Sequence, residues 1–329
     1  IGTRSAVFTP FRSLGLIIID EEHDTSYKQQ SGFRYSARDV AVKRAQLNNI
    51  PVLLGSATPS IETLRNALDG RYQLLTLHQR AGGARTPGYS LLDIRSQTLH
   101  EGFCEQTLDA LEQTVQRGEQ ALIYLNRRGF APTLLCHACG WVAECPHCDS
   151  RLVMHRQQRQ LQCHHCDYRE AVPEQCPQCR QHNLQALGLG TERSEKYLKE
   201  RFPTTSVLRI DRDTTRNKGS FDALLNRVHS GDPALLIGTQ MLAKGHHFPN
   251  VTLVAIIDAD AGLYSADFRG PERTAQILTQ VAGRAGRAEN PGAVLIQTHT
   301  PEHPVLDLLA QDRYRELCEQ LLGERQQLG

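Results

Sequence analysis

No run of 18 apolar residues occurs in the 329-residue chain, so neither a membrane-spanning helix nor a membrane partner is expected. Neither sign of charge is in excess: 37 Lys and Arg against 36 Asp and Glu leave a formal net charge of +1. That balance neither demands nor excludes a nucleic-acid partner, but any basic groove has to be local. The start, Ile1-Gly2-Thr3-Arg4, lacks an initiator Met and does not read as a signal peptide. No G-x-x-x-x-G-K-[ST] occurs, so the loop and lysine that cradle nucleotide phosphates are missing. No internal repeat appears outside the cysteine pattern.

The cysteines are where the sequence speaks first. Eight of the ten form four C-x-x-C pairs: Cys136/Cys139, Cys145/Cys148, Cys163/Cys166 and Cys176/Cys179. Each pair puts two thiolates on one turn, and two pairs complete a tetrahedral four-sulfur site, so two structural Zn²⁺ ions are expected. Four pairs can combine in three ways. Residues 151–155 and 159–162 read as a hairpin around Gln157-Gln158, which brings its flanking pairs together. Cys145, Cys148, Cys163 and Cys166 then hold one zinc; Cys136, Cys139, Cys176 and Cys179 hold the other. Sequential pairing across residues 140–144 is tight but open. With eight thiolates available, His137, His147, His164 and His165 read as neighbours of the sites or as solvated groups. Residues 136–182 carry five arginines and five acidic residues, and each four-thiolate site adds a formal −2. The segment is therefore net acidic, better suited to a protein partner or a wedge at a DNA junction than to bulk DNA binding. These pairs, with Cys104 and Cys318 unmatched, suit a reducing compartment.

Along the chain, short apolar runs alternate with helical patterns, which predicts an α/β fold with parallel sheet. Strands are expected at 6–8, 16–20, 52–55, 73–77, 121–125, 207–210, 234–237, 251–257 and 293–297. Helices are expected from Ser36 towards Asn48, from Ser60 to Gly70, and over 105–117 up to Gly118. Residues 79–88 read as part of a linker between two lobes, and one long helix is expected from His303.

The run Leu16-Ile17-Ile18-Ile19 ends in Asp20-Glu21-Glu22-His23. Carboxylates at the carboxyl end of a parallel strand point into a nucleotide crevice. Asp20 is placed to hold Mg²⁺ and Glu21 to polarise an attacking water. Gly55-Ser56-Ala57-Thr58-Pro59 ends the next strand with small hydroxyl residues. Gln280-Val281-Ala282-Gly283-Arg284-Ala285-Gly286-Arg287 sets two arginines three apart, which on one helix face the same way and can meet a γ-phosphate. Between the acidic tetrad and Ser36, Tyr27, Phe33 and Tyr35 are interleaved with Lys28 and Arg34, the pattern of aromatic faces for unpaired bases and cations for phosphates.

In this order, these elements resemble a superfamily 2 helicase. Gly2-Thr3-Arg4-Ser5-Ala6 looks like motif Ib, Asp20 to His23 like the Walker B motif, and Ser56-Ala57-Thr58 like motif III. Gly238-Thr239-Gln240-Met241 with Lys244-Gly245 and Phe248-Pro249 looks like motif V, and Gln280 to Arg287 like motif VI. With four C-x-x-C pairs between motifs III and V, the chain resembles the PriA family of replication-restart helicases. Asn126-Arg127-Arg128-Gly129 and Gly188-Leu189-Gly190-Thr191-Glu192 look like that family too.

The resemblance implies RecA-like helicase lobes with an inserted double zinc-binding module. It assigns 1–90 to the second half of lobe 1 and 91–134 to the start of lobe 2. The zinc insertion takes 135–183, the rest of lobe 2 184–300, and the start of a C-terminal domain 301–329. Asp20, Glu21, His23, Gln280, Arg284 and Arg287 become the hydrolytic residues. Tyr27, Lys28, Phe33, Arg34, Tyr35, Ser56, Thr58 and Lys244 become the residues that couple to DNA. It further implies ATP with Mg²⁺, 3′→5′ unwinding at stalled or branched forks, forked or single-stranded DNA as partner, other primosome proteins and single-stranded DNA-binding protein, and a bacterial cytoplasmic location. The family carries the missing phosphate loop upstream of these motifs, so the chain reads as a central fragment, inactive alone. A non-enzymatic zinc-ribbon scaffold for primosome contacts is the alternative.

Overall fold

Parallel strands need a crossover between them, and a helix is the usual return path. The computed structural model describes residues 1–77, 86–126, 133–148, 150–155, 158–186, 191–211, 214, 220–239, 241–242, 248–265, 267–286 and 292–327. The chain divides into two compact units, Ile1–Thr76 with Cys318–Gly329, and Leu77–Leu317.

In the first unit, β1 (Ile17–Ile19) leads to α1 (Ala37–Asn48), β2 (Val52–Leu54) and α2 (Ile61–Leu68). The strands pair in parallel, Ile18 opposite Leu53. Ser36 caps α1 by accepting from the Asp39 N–H, and Ser60 caps α2 by accepting from that of Thr63. α1 turns Ala37, Ala41 and Ala45 inward, small side chains four apart that allow close packing. Two expected strands are absent. Residues 4–8 form a 3₁₀ turn, Arg4–Phe8, in which Ala6 N donates to Thr3 O and Thr9 N to Ala6 O. A short apolar run there satisfies its backbone locally. Residues 73–77 belong to no strand.

The second unit holds β3 (Gly88–Asp93), α3 (Glu105–Gln116), β4 (Gln120–Tyr124), β5 (Leu134–Cys136), β6 (Val153–His155), β7 (Gln160–Gln162), β8 (Arg169–Ala171) and β9 (Leu184–Ala186). Then come α4 (Thr191–Arg201), β10 (Ser206–Ile210), α5 (Ser220–His229), β11 (Ala234–Gly238), β12 (Val251–Ile256), α6 (Asp260–Leu263), α7 (Gly270–Ala282), β13 (Ala293–Thr298) and α8 (Pro304–Ala310). α9 (Tyr314–Gln327) runs on from this unit. Six strands form one parallel sheet in the order β10-β11-β4-β12-β13-β3. β4 and β11 are buried at every position, as central parallel strands should be. Leu108, Leu111, Leu198 and Phe202 from α3, α4 and the turn after α4 pack on Ile123, Leu235 and Ala255.

The expected α/β architecture with an inserted module is present. Residues 133–186 leave the sheet after β4 as β5, the three-stranded antiparallel sheet β6-β7-β8, and β9, which pairs back on β5. Four strands went unforeseen: β3, an edge strand with only one side covered; β5 and β9, which pair with each other at the base of the module; and β8, which extends the expected hairpin. The helix expected to carry both motif VI arginines stops at Ala282. Gly283, at φ −63° and ψ −3°, is the C-cap, and Arg284 N and Ala285 N turn back to Val281 O and Ala282 O, so the chain tightens out of the helix there. The single helix expected from His303 is two, α8 and α9. Asp312, at φ 56°, breaks it, and Arg313 N reaches Leu308 O.

Candidate functional site

The acidic turn follows β1 directly. Glu22 N donates to Gly55 O at 3.0 Å and Gly55 N to Ile19 O at 2.8 Å, so the turn is stitched to the end of β2. Asp20 and Glu21 are exposed. Asp20 Oδ1 accepts from Glu21 N at 3.0 Å, and Glu21 takes φ 49°, a region unfavourable to side chains with a Cβ. Glu22 points the other way and is 2% exposed. Its carboxylate accepts from Ser60 N (2.7 Å), Ser60 Oγ (3.1 Å), Thr63 Oγ1 (2.8 Å) and Arg38 Nη1 (3.0 Å). His23 Nδ1 lies 2.7 Å from Ser56 Oγ and 3.6 Å from Glu21 Oε2, and its Nε2 lies 3.5 Å from Thr58 Oγ1. The structure thus brings Asp20, Glu21, His23, Ser56 and Thr58 together. Arg38 and Thr63, which with Glu22 and Ser60 hold the turn in place, are not named in the sequence reading. Ser60 and Ser36 show there as helix caps, but the bond of Arg38 to a buried carboxylate 16 residues away leaves no local signal.

The aromatic segment begins with the 3₁₀ turn Thr25–Tyr27. The Tyr27 hydroxyl donates to Asp20 O at 2.7 Å, tying the segment to the acidic turn. Burial and the neighbouring Asp24, Asp20 and Glu21 charges raise the Tyr27 pKa, so the phenol remains a donor. Beyond it, Lys28 pairs with Ser36 and Gln29 N donates to Tyr35 O, closing a loop that holds Phe33 and Arg34 outward. Phe33 is 81% exposed and stacks on Tyr35 at 6.1 Å between centroids; Phe8 meets Tyr35 edge-on at 4.9 Å. Arg4 donates to Ser26 O and Lys28 O at 3.0 and 3.3 Å. Phe8, from a segment expected to be a strand, and Arg4 just before it therefore join this surface through space.

In the second unit, Thr239 follows β11 and Gln280 lies in the last turn of α7. Arg284 is buried in the turn after α7. Gly238 has a steric reason of its own: a Cβ there would lie 2.2 Å from Ile210 O. Gln240, Lys244 and Arg287, with residues 127–129 and 188–190, lie outside the described residues. Asp258 Oδ1 accepts from Ala261 N, capping the turn that carries α6.

The cysteines form two nested clusters. Sγ atoms of Cys136, Cys139, Cys176 and Cys179 lie within 4.8 Å of one another, as do those of Cys145, Cys148, Cys163 and Cys166. The cross-knuckle distances are 3.6 and 3.7 Å in the first cluster and 3.5 Å twice in the second. A tetrahedral zinc at about 2.3 Å from each sulfur requires an S···S edge of about 3.8 Å, whereas a disulfide requires about 2.05 Å. The donor set and spacing fit zinc. Local backbone shapes three of the knuckles: Gly140, Asp167 and Arg180, each following a second cysteine, take φ 79°, 61° and 62°. Backbone N–H groups also favour thiolate. Burial opposes it at Cys163 and Cys176, but N–H groups of Cys166 and His165, and of Cys179 and Gln178, together with neighbouring thiols, bring them down to about 6 and about 7. Burial and facing thiols push Cys136, Cys139 and Cys166 up, so without metal the proton stays shared within each cluster. Among the described residues, no histidine joins either cluster.

Residues 145–170 match the PriA DNA helicase Cys-rich region domain, and 181–289 the helicase conserved C-terminal domain. The fold is thus that of a helicase lobe of the RecA-like kind, interrupted by a cysteine-rich zinc module. The chain is 50% identical over 329 residues to the replication restart protein PriA of Haemophilus influenzae, covering 100% of this chain and 45% of that protein. It is 45% identical over 331 residues to that of Bacillus subtilis, covering 99% of this chain and 41% of the relative. The chain resembles the PriA family along its whole length, and it spans less than half the length of these relatives. Among solved structures, S. cerevisiae Dbp5 bound to RNA and ADP BeF3 matches with a TM-score of 0.48 at 14% identity, over 94% of this chain and 63% of that one, a likeness too loose to argue from. No described helix is long and apolar enough to cross a membrane.

Proposed function

We propose that the complete protein is an ATP-driven 3′→5′ DNA helicase that acts at stalled or branched forks in replication restart, and that this chain supplies part of its motor and its zinc module. Its partners in this reading are forked or single-stranded DNA, other primosome proteins and single-stranded DNA-binding protein, in a bacterial cytoplasm. The observation that carries it is the turn after β1. Two exposed carboxylates, Asp20 and Glu21, stand on a buried anchor, Glu22, while His23 ties them to the hydroxyls of Ser56 and Thr58. In this reading Asp20 holds Mg²⁺ with ATP and Glu21 orients the attacking water. Gln280, Arg284 and Arg287 meet the nucleotide phosphates. Lys28, Arg34 and Lys244 take the DNA backbone, and Phe33 and Tyr35, joined by Phe8, stack on unpaired bases. Zinc supplies a fixed four-sulfur cross-link and no catalytic position, since four thiolates leave none open. The domain limits proposed are those set out from the sequence.

The 329-residue chain assayed alone is expected to show no DNA-stimulated ATPase activity, because nothing in it replaces the phosphate-cradling lysine. Clear turnover by the isolated chain would refute that expectation.

Tyr27 offers the sharper test of coupling. Its hydroxyl touches the backbone of the acidic turn, so a shift of the loop on DNA moves Asp20 directly. Tyr27→Phe in the complete protein removes one hydrogen bond worth about 0.5–1.5 kcal/mol, so DNA-stimulated ATPase should fall roughly two- to ten-fold. Basal ATPase should change less. Tyr27→Ala with Phe33→Ala should lower stimulation further, while DNA affinity falls only modestly. Full stimulation in both variants would make the loop a packing element.

A further inference from the structure

The first zinc knuckle is seated on the parallel sheet itself. His137 O accepts from Ser96 N at 2.9 Å and Ala138 O from Ser96 Oγ at 3.2 Å, just beyond the carboxyl end of β3. Gly140 lies against the residue that follows β13: a Cβ on it would stand 2.6 Å from His299 O. With φ at 79° as well, the position accepts only glycine without rearrangement.

The side chains continue the contact inward. His137 Nε2 lies 2.8 Å from Gln97 O, a carbonyl that can only accept, so this nitrogen carries a hydrogen. His137 Nδ1 faces His299 Nε2 at 2.8 Å. On the far side, His299 Nδ1 lies 2.7 Å from Asp260 Oδ2 and His299 N donates to the same oxygen at 2.8 Å. Thr298 Oγ1 and Thr300 Oγ1 donate to Asp260 Oδ1 at 2.5 and 3.3 Å. Asp260 is 1% exposed and His299 4%.

We propose that His137, His299 and Asp260 form a latch that fastens the Cys136/Cys139 knuckle to the carboxyl end of the lobe 2 sheet, and that it holds the zinc of the sheet-side (inner) cluster, Cys136, Cys139, Cys176 and Cys179, in place without ligating it. The latch reaches further into the lobe. Asp260 opens α6, and Gly262 within α6 lies so close to Thr274 of α7 that a Cβ would stand 2.1 Å from Thr274 Oγ1. α7 leads directly to Arg284. The inner cluster and the motif VI turn are therefore parts of one packed body.

The test uses the zinc-loaded full chain. Zinc release to a chromophoric chelator and amide hydrogen exchange at His137 and Gly140 are followed together. Outer partners of a metal site typically change its affinity by about 10–100-fold, so His299→Ala should speed release of one of the two ions about ten-fold or more and leave the other unchanged. Exchange protection should be lost at Gly140 and retained in β4 and β11. His299→Gln, which keeps a donor near the Nε2 position, should recover most of the slow release. Unchanged release and unchanged exchange in His299→Ala would overturn the proposal, as would equal acceleration of both ions with loss of protection across the sheet. The latch rests on zinc filling the inner cluster. A wild-type chain without zinc would refute that occupancy, and protection at Gly140 would still decide the latch.

Discussion

Cys136→Ser and Cys179→Ser should each take the chain from two bound zinc ions to one, counted by atomic absorption. The double variant should still hold one. Cys136→Ser combined with Cys145→Ser should hold none. This pattern belongs to the nested arrangement alone, because sequential or interleaved pairing puts Cys136 and Cys179 on different ions. The structural effect should be large. The module's own buried core is Leu134, Ala143, Leu152 and Leu161 with two of its cysteines, flanked by half-buried Trp141, Met154, Tyr168, Val172 and Leu184. Zinc contributes about 10–16 kcal/mol to the folding of comparable small domains, far more than such a core supplies. Chelation should therefore abolish ordered amide protection across β6, β7 and β8 while the six-stranded sheet persists. A module that stays folded after both ions are removed would refute the structural role.

The second large effect separates two neighbouring glutamates. In the complete protein, Glu21→Gln should leave thermal stability within about 0.5 kcal/mol, as surface substitutions do. It should lower ATP turnover by about 10²–10⁴-fold, the contribution of a positioned base. Glu22→Gln should do the reverse in emphasis. It removes a carboxylate that is 2% exposed and leaves Arg38 facing a neutral amide, where breaking a buried pair costs about 3–5 kcal/mol. Burial raises the cost of losing the partner, and the surrounding carboxylates hold the Arg38 guanidinium firmly charged. Calorimetry and steady-state ATPase on the two variants check this directly. Equal loss of stability in both would mean that Glu21 is structural too.

Much of the fold is legible because burial and period agree. The runs that became β4, β11, β12 and β13 are apolar on both sides, and their bounds in the structure shift by a residue at most. β3 escaped notice because Gly88-Tyr89-Ser90-Leu91 is an edge strand with one covered side, following a segment rich in Gly and Pro. Residues 6–8 and 73–77 show the opposite error: a short apolar run is a strand only where a neighbouring strand takes its N–H groups. In motif VI the glycines serve as a helix stop, which a propensity argument reads as mere weakness. The local parts of the site were visible: the acidic tetrad, the knuckles, the aromatic loop. What joins them was not. The contacts of Glu22 with Arg38, Phe8 with Tyr35, and His137 with His299 span 16, 27 and 162 residues, and none leaves a periodic trace.

The sheet order also bears on how the chain folds. β3 closes the sheet by pairing with β13, and the Arg95–Glu302 ion pair beside them spans 207 residues. The hairpin of β6 and β7 needs only the turn between them. Closing a long loop is slow because its entropy is lost before any contact rewards it. The cysteine module can therefore form and take up metal early, as a local event, while the edge strand docks last. Refolding from denaturant should be biphasic, with a fast zinc-dependent phase confined to the module. The slow phase should follow amide protection in β3.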